Sequence, residues 1–227
     1  MSANEPLGVI VAARNEADRI GATLGALRKA FPDARIWVAD DASTDDTAEA
    51  AIAGGAQLVT RRRPHGKGGN VTAAAEAMLS DPHPPQLVLL CDADLGESAA
   101  NLARLVDRVA SGDCDLAIAA FSKREGGGFG IALGFARWGI ERRSGVRAEA
   151  PISGQRAMRA ETLREVLPFA RGYGMEMGMT IDAVRTGKRV EEVELDLEHR
   201  ATGRTVGGFV HRGGQLRDFV RTYFSRR

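Results

Sequence analysis

The chain has 227 residues, 44% hydrophobic and 27% charged, an ordinary globular composition with room for a sizeable core. A formal net charge of +1 speaks against nucleic acid as a partner, and the cysteines, Cys91 and Cys114, make neither a disulfide framework nor a metal pattern. No apolar run approaches a membrane span, and the opening MSANEPLG lacks the basic and apolar regions of a secretory signal, so a cytoplasmic protein is expected.

Leu7 to Ala12 reads as a buried strand, after which Ile20, Leu24, Leu27 and Phe31 recur at helical spacing. Arg35 to Ala39 is a second strand. Ser43 with Asp46 matches a capping box ahead of a helix that stops at Gly54-Gly55. A short strand over Gln57 to Thr60 leads into the basic loop RRRPHGKGG and a helix from Asn70 to Leu79. SDPHPP breaks that helix before an apolar strand, Leu87 to Leu90. A helix over Ala99 to Ala110 and a strand over Leu116 to Ala120 follow.

Beyond Phe121 the pattern changes. SKREGGGFG is glycine-rich, and IALGFARWGIERRSG reads as an amphipathic helix with a basic end. PISGQRAMR reads as a strand, GYGMEMGMTIDAVRTG as a loop running into a helix closed by Gly187, and KRVEEVELDLEHR as a strand exposed on one face. The tail from Gly208 to Phe224 has apolar residues near helical spacing. From His199 onward there are seven arginines and one acid, Asp218, a basic end suited to anionic ligands or a membrane surface.

Strands alternating with helices over short connections predict an α/β fold, a mostly parallel sheet with helices on both faces. Ligands of such sheets sit beyond the carboxyl ends of the strands. Three strands end there in polar clusters: ARNE, DDAS and DADLG. In the last, Asp92 and Asp94 are two apart, so on an extended segment they point the same way. Two adjacent carboxylates repel unless a cation joins them, and a hard divalent ion so held completes its shell with water and phosphate oxygens. In HGKGG the glycines flanking Lys67 admit a phosphate close to backbone, and the ammonium neutralises it; a solvated basic loop is the plainer alternative. Asp41 can accept the imide hydrogen of a pyrimidine or a ribose hydroxyl, or can be a turn aspartate, as Asp45 and Asp46 are. Of the histidines, His65, His83 and His211 read as surface residues.

In order along the chain, VAARNE, ADDASTDDT, GKGGN and LLCDADL resemble the nucleotide-sugar half of glycosyltransferase family two, which has the GT-A fold. PISGQRAMRAETL, FARGYGMEMG and LEHRATGR are similar to segments of the glucosyl-3-phosphoglycerate synthases and the dolichyl-phosphate mannose synthases. The resemblance implies one Rossmann-like GT-A domain over 1–227, with a nucleotide-sugar half, 1–121, and an acceptor-side extension, 122–227. It places Ala12 and Glu16 in the nucleotide pocket, Asp41 and Ser43 on the base, and Lys67 on the base or diphosphate. It puts Asp92 on the ribose or metal, Asp94 on the metal, and His199 as a third ligand of Mg2+ or Mn2+. Glu176 then meets sugar hydroxyls or the reacting carbon, with Gly154 and Gln155 on the sugar side. Ala42 stands where the family has glycine, and Gln155 where the phosphoglycerate enzymes have glutamate. Their long N-terminal extension is also missing from this sequence, which speaks against identity with that enzyme.

The implied reaction moves a hexosyl unit from a nucleoside diphosphate sugar, UDP-glucose before GDP-mannose, to a small phosphorylated or polyprenyl-phosphate acceptor. The metal, Lys67 and Arg200 would stabilise the leaving diphosphate, and Glu176 is the first choice of base if the route inverts. A retaining route needs no such base, and both stay open, as do a homodimer and a peripheral contact at the inner face of a membrane. Two rival readings are a sugar-phosphate nucleotidyltransferase and a sugar-nucleotide-binding protein without turnover. The first would want a glycine-rich loop after the first strand, where AARNEADRI has no glycine before Gly21. The segment from Lys123 to Arg147 is expected to be a mobile flap, hinged on Gly126 to Gly128 and Gly130. Its helix, with Ile131, Leu133, Phe135, Trp138 and Ile140 spread round it and Arg137, Arg142, Arg143 and Arg147 as its charges, is expected to pack on the sheet ahead of lying on lipid.

Overall fold

The computed structural model describes residues 5–61, 63–121, 130–197 and 206–226. Apolar β-branched runs form strands β1 (Leu7–Ala13), β2 (Arg35–Asp40), β3 (Gln57–Thr60), β4 (Leu87–Asp92) and β5 (Leu116–Phe121). Between and beyond them come helices α1 (Ile20–Ala30), α2 (Thr47–Ala53), α3 (Gly66–Leu79), α4 (Ala103–Ala110) and α5 (Gly130–Ser144). The chain continues with β6 (Arg156–Arg159), α6 (Ala160–Val166), α7 (Met175–Arg185), β7 (Val190–Leu195) and α8 (Val206–Ser225).

The seven strands lie in the order β3-β2-β1-β4-β6-β5-β7. All neighbouring pairs are parallel except those of β6, which runs against both β4 and β5. The central strands are buried on both faces, so β1, β2 and β4 are largely apolar on both sides, whereas the edge strands β3 and β7 are not. Val9, Val11, Leu89 and Cys91 pack with Leu24 and Leu27 of α1 and Leu105 and Val109 of α4. Ile10, Val88 and Leu90 face the other way, onto Val71, Ala75 and Met78 of α3, Leu163 of α6 and Met179 of α7. A third cluster joins Ala132, Ala136 and Ile140 of α5 to Met177 and Ile181 of α7 and Phe219 of α8. The helix after the glycine-rich stretch therefore packs on its neighbours, with Trp138 on its outer side, half exposed and 4.9 Å from the Tyr223 ring. Of the glycines expected to loosen the flap, Gly126 to Gly128 lie outside the described residues and Gly130 is the first residue of α5.

The sheet reverses direction of growth at β1, which has β2 on one side and β4 on the other. Such a switch point opens a crevice at the carboxyl ends of the two central strands. The antiparallel β6 adds a second consequence. Arg156, its first residue, pairs with Leu90 near the end of β4, so the residues just before β6 reach the same rim.

Several local expectations are corrected. Asp94 does not continue the strand: β4 ends at Asp92 and Asp94 sits in the following turn. Ser43 does not cap α2, whose first residue is Thr47 and which has no side-chain cap; its hydroxyl donates to Asp40 instead. The helix predicted from Asn70 begins at Gly66, three glycines notwithstanding. Packing overrides propensity there, because a Cβ on Gly68 would lie 1.9 Å from the Ala170 carbonyl oxygen. The segment before α4 is a 3-10 turn, Gly96–Leu102, and PISGQRAMR is a strand only from Arg156.

Ala42 has φ 55°, in the left-handed region that disfavours any residue with a Cβ. Ala42→Gly should therefore stabilise the protein by about 0.5–1 kcal/mol, the relief of strain less the added chain entropy of glycine. Denaturant titration should show a higher midpoint at unchanged slope.

Candidate active site

Beyond the ends of β1, β2 and β4 the loops are joined to one another. The backbone N–H of Asn15 donates to Ser43 Oγ at 2.9 Å, and Thr44 N–H donates to Asn15 Oδ1 at 2.9 Å. Glu16 N–H donates to Thr47 Oγ1 at 2.9 Å. Asp45 accepts from Thr47 and Ala17, and the Thr47 hydroxyl bond foremost holds its carboxyl below the usual range. Asp40 is buried and accepts from Ser43 and Thr60, which makes it a brace of this rim. Asp41, next in sequence, is also buried but turned to the cleft, accepting from His65 N–H at 2.8 Å and 3.6 Å from Arg14. That contact sets the entry of α3.

The rim encloses a cleft of about 390 Å³. Ala12, near the end of β1, Glu16 beyond it, Asp41 after β2, Lys67 of α3, Asp92, the last residue of β4, and Asp94 after it all line it. Ser43 is not among the lining residues; its hydroxyl is engaged by Asp40 and Asn15. Arg14, Asn70, Gly172, Tyr173 and Asp218 also line the cleft and went unassigned in the sequence. Asp218, in α8, accepts from the Tyr173 N–H at 3.2 Å. A signal for it existed, because it is the one acid in the basic tail.

Lys67 forms the centre of charge. Its Nζ lies 2.6 Å from Asp92 Oδ1 and 2.9 Å from Glu176 Oε1. Burial works to lower its pKa, but the charges of Asp92 and Glu176 and their hydrogen bonds outweigh it and raise the pKa above the ordinary lysine value. The ammonium thus persists through neutral and mildly alkaline pH. Asp92 Oδ2 accepts from Gln155 Nε2 at 2.8 Å. A glutamate at 155 would put a third carboxylate beside Asp92 and Glu176 with a single lysine between them, so the amide is the electrostatically consistent choice here. Glu176 is buried in the first turn of α7, where the helix dipole favours an anion. Behind it Arg156, wholly buried, donates to Ser153 O at 2.8 Å and Thr180 Oγ1 at 2.9 Å. Burial lowers the Arg156 pKa to about 10, against the pull of Glu176 and Glu192.

Gly154 has to be glycine. A Cβ there would lie 2.4 Å from Lys67 Nζ and 2.8 Å from Asp92 Oδ2. Gly154→Ala should push the ammonium off Asp92, lowering turnover about tenfold or more and lowering the melting temperature by less than loss of the ammonium itself would, measured by steady-state kinetics beside a thermal scan.

Asn70 is 1% exposed, and neither its Oδ1 nor its Nδ2 has a hydrogen-bond partner among the described residues, at a cost on the order of 1–3 kcal/mol for such a group. The Asp92 and Asp94 pair lines the same cleft, and its hard oxygen donors fit a divalent cation. Among the described residues no three His, Cys, Asp or Glu side chains gather at metal-ligand range. His199 and Arg200 lie outside the described residues. The described donor set thus fits a cation that takes its other ligands from a diphosphate and water.

A mostly parallel seven-stranded sheet with this acidic and lysine-bearing cleft at its switch point is the GT-A architecture of a glycosyltransferase. The chain belongs to glycosyl transferase family 2, whose description matches residues 8–167. It is 29% identical to an undecaprenyl-phosphate mannosyltransferase of Micrococcus luteus over 88% of each chain. It is 30% identical to a glucosyl-3-phosphoglycerate synthase of Mycolicibacterium paratuberculosis, over 87% of this chain and 67% of that one. The glucosyl-3-phosphoglycerate synthase of Mycobacterium tuberculosis, solved with Mn2+, UDP-glucose and phosphoglyceric acid, superposes with a TM-score of 0.78 at 26% identity. That superposition covers 98% of this chain and 80% of the other. The same enzyme has been solved with Mg2+ and UDP.

Proposed function

We propose that this glycosyltransferase moves a hexosyl unit from UDP-glucose, with GDP-mannose the second candidate, to a small phosphorylated acceptor or a polyprenyl phosphate. The observation that carries this reading is Lys67 held between Asp92 and Glu176 at the switch-point cleft. The ammonium is shared by the two carboxylates while the cleft is without donor, and a diphosphate entering beside it exchanges one anionic partner for another. Ala12, Glu16 and Asp41 hold the nucleoside, with Asp41 accepting a ring N–H of the base. Asp94 is the more direct metal ligand, and Asp92, held by Lys67 and Gln155, faces the ribose or the metal. Mg2+ or Mn2+ bound there would supply positive charge to the leaving diphosphate.

Glu176, freed from Lys67 as the diphosphate takes over the ammonium, is the carboxylate nearest the sugar side. It sits with Gly154 and Gln155, where it orients sugar hydroxyls or takes the acceptor proton. The metal and the donor are read from the relatives' complexes together with the acidic cleft, and the acceptor class from the phosphoglycerate and the undecaprenyl phosphate of their names. No helix among the described residues is long and apolar enough to cross a membrane. A lipid-phosphate acceptor would have to be met from the membrane surface.

Calorimetric titration with UDP and with GDP in Mn2+ tests the donor, and tighter binding of GDP overturns the choice. Offering 3-phosphoglycerate or undecaprenyl phosphate in vesicles to the donor-loaded enzyme tests the acceptor. Transfer to neither would remove both acceptor classes.

A further inference from the structure

The nucleotide cleft contains a polar group, the last residue of GKGGN, to which the reaction gives no role. Asn70 lines it beside Ala12, Ala39, Asp41 and Val71, is all but fully buried, and leaves both ends of its amide without a partner among the described residues. Ala39 and Val71, which line the cleft with it, offer no side-chain donor or acceptor, and the Asp41 carboxylate, another lining group, is not bonded to it. A buried amide held in that condition is organised for something that enters the cleft. An amide presents a donor and an acceptor, and Asp41, lining the same cleft, presents an acceptor.

We propose that Asn70 is a base-reading residue, whose amide Nδ2 donates to the ring carbonyl that adjoins the ring N–H accepted by Asp41. This rests on the proposed function, which places a nucleoside in the cleft with Asp41 at the base. Together the two side chains read an N–H next to a C=O. Uracil has that edge at N3 and O4, and guanine has it at N1 and O6. Cytosine and adenine carry no such ring N–H, and each turns a bare ring nitrogen toward the Asp41 carboxylate. The pair therefore admits uridine and guanosine diphosphates and rejects cytidine and adenosine diphosphates.

The position also has a stability signature. Replacing an unpartnered buried amide by alanine removes an unmet polar group, so Asn70→Ala should hold or raise the melting temperature of the ligand-free protein. A residue kept for structural reasons would lower it.

The test is calorimetric titration of wild type and Asn70→Ala with UDP, GDP, CDP and ADP in Mn2+, beside a thermal scan without ligand. Wild type should bind UDP or GDP at least about tenfold more tightly than CDP and ADP. Asn70→Ala should lose about tenfold in affinity for the favoured nucleotide and under about twofold for CDP and ADP, so that the ratio collapses. An equal loss for all four nucleotides, or a lowered melting temperature with the ratio unchanged, overturns the role. Equal wild-type affinity for the four overturns it without any variant. Binding of none of them by wild type removes the nucleotide site itself, and the inference with it. UDP and GDP separate the two bases.

Discussion

Asp94→Ala will fold with an unchanged melting temperature and lose sugar transfer by about three orders of magnitude. Asp94 lies in the turn after β4, outside the three apolar clusters, so its removal takes nothing from the core. It lines the cleft as a hard oxygen donor, and Asp92, tied to Lys67 and Gln155, would hold the cation less well alone. Donor turnover in Mn2+, measured with circular dichroism of the same sample, checks both halves. Undiminished turnover by the variant would remove Asp94 from the metal site.

Lys67→Met will fail differently. It leaves the buried Glu176 carboxylate and Asp92 without the ammonium now 2.9 and 2.6 Å away. Breaking one side of such a cluster costs about 1–3 kcal/mol at this partly exposed position, and the lost charge at the diphosphate costs a further 10²–10³ in turnover, as a rough scale. The pH dependence has a definite sign. In wild type the lysine pKa is raised, so its stabilisation is complete at and below neutral pH and fades only as pH climbs through the alkaline range. The stability deficit of Lys67→Met should therefore be fully present at neutral pH and narrow as pH climbs through the alkaline range, where wild type loses the ammonium, as urea titrations from neutral to alkaline pH will read. A deficit independent of pH would mean that the lysine stem, and not its charge, is what the site uses.

The order of strands and helices, the three polar strand exits and the carboxylates of DADLG were legible because each is local in sequence. A strand with two buried faces and a polar end needs no distant information. What was not legible joins distant parts of the chain. The direction of β6 decides that Gln155 meets Asp92, 63 residues earlier, and a four-residue strand carries no mark of its direction. Asp218 reaches the cleft because α8 folds back beside Gly172 and Tyr173, and no periodicity reports that. Ser43 was misjudged because its hydroxyl can cap a helix or close a turn with equal chemistry, and Asp40 determined which. The sequence pattern starts this helix at Asn70, whereas Asn70 is one turn inside it and lines the cleft. Gly66 to Gly69 read as loop because glycine disfavours helix, whereas the close approach of Ala170 leaves room for nothing larger at Gly68.

Release of UDP from UDP-glucose by the purified protein tests the central claim most directly, followed with and without a phosphorylated acceptor, in Mn2+ and in excess chelator. Acceptor-stimulated release with glucose carried to the acceptor, abolished by chelator, is the expected result. Glucose transfer undiminished in chelator, or UDP-glucose bound in Mn2+ and never turned over with phosphoglycerate or polyprenyl-phosphate acceptors, would contradict it.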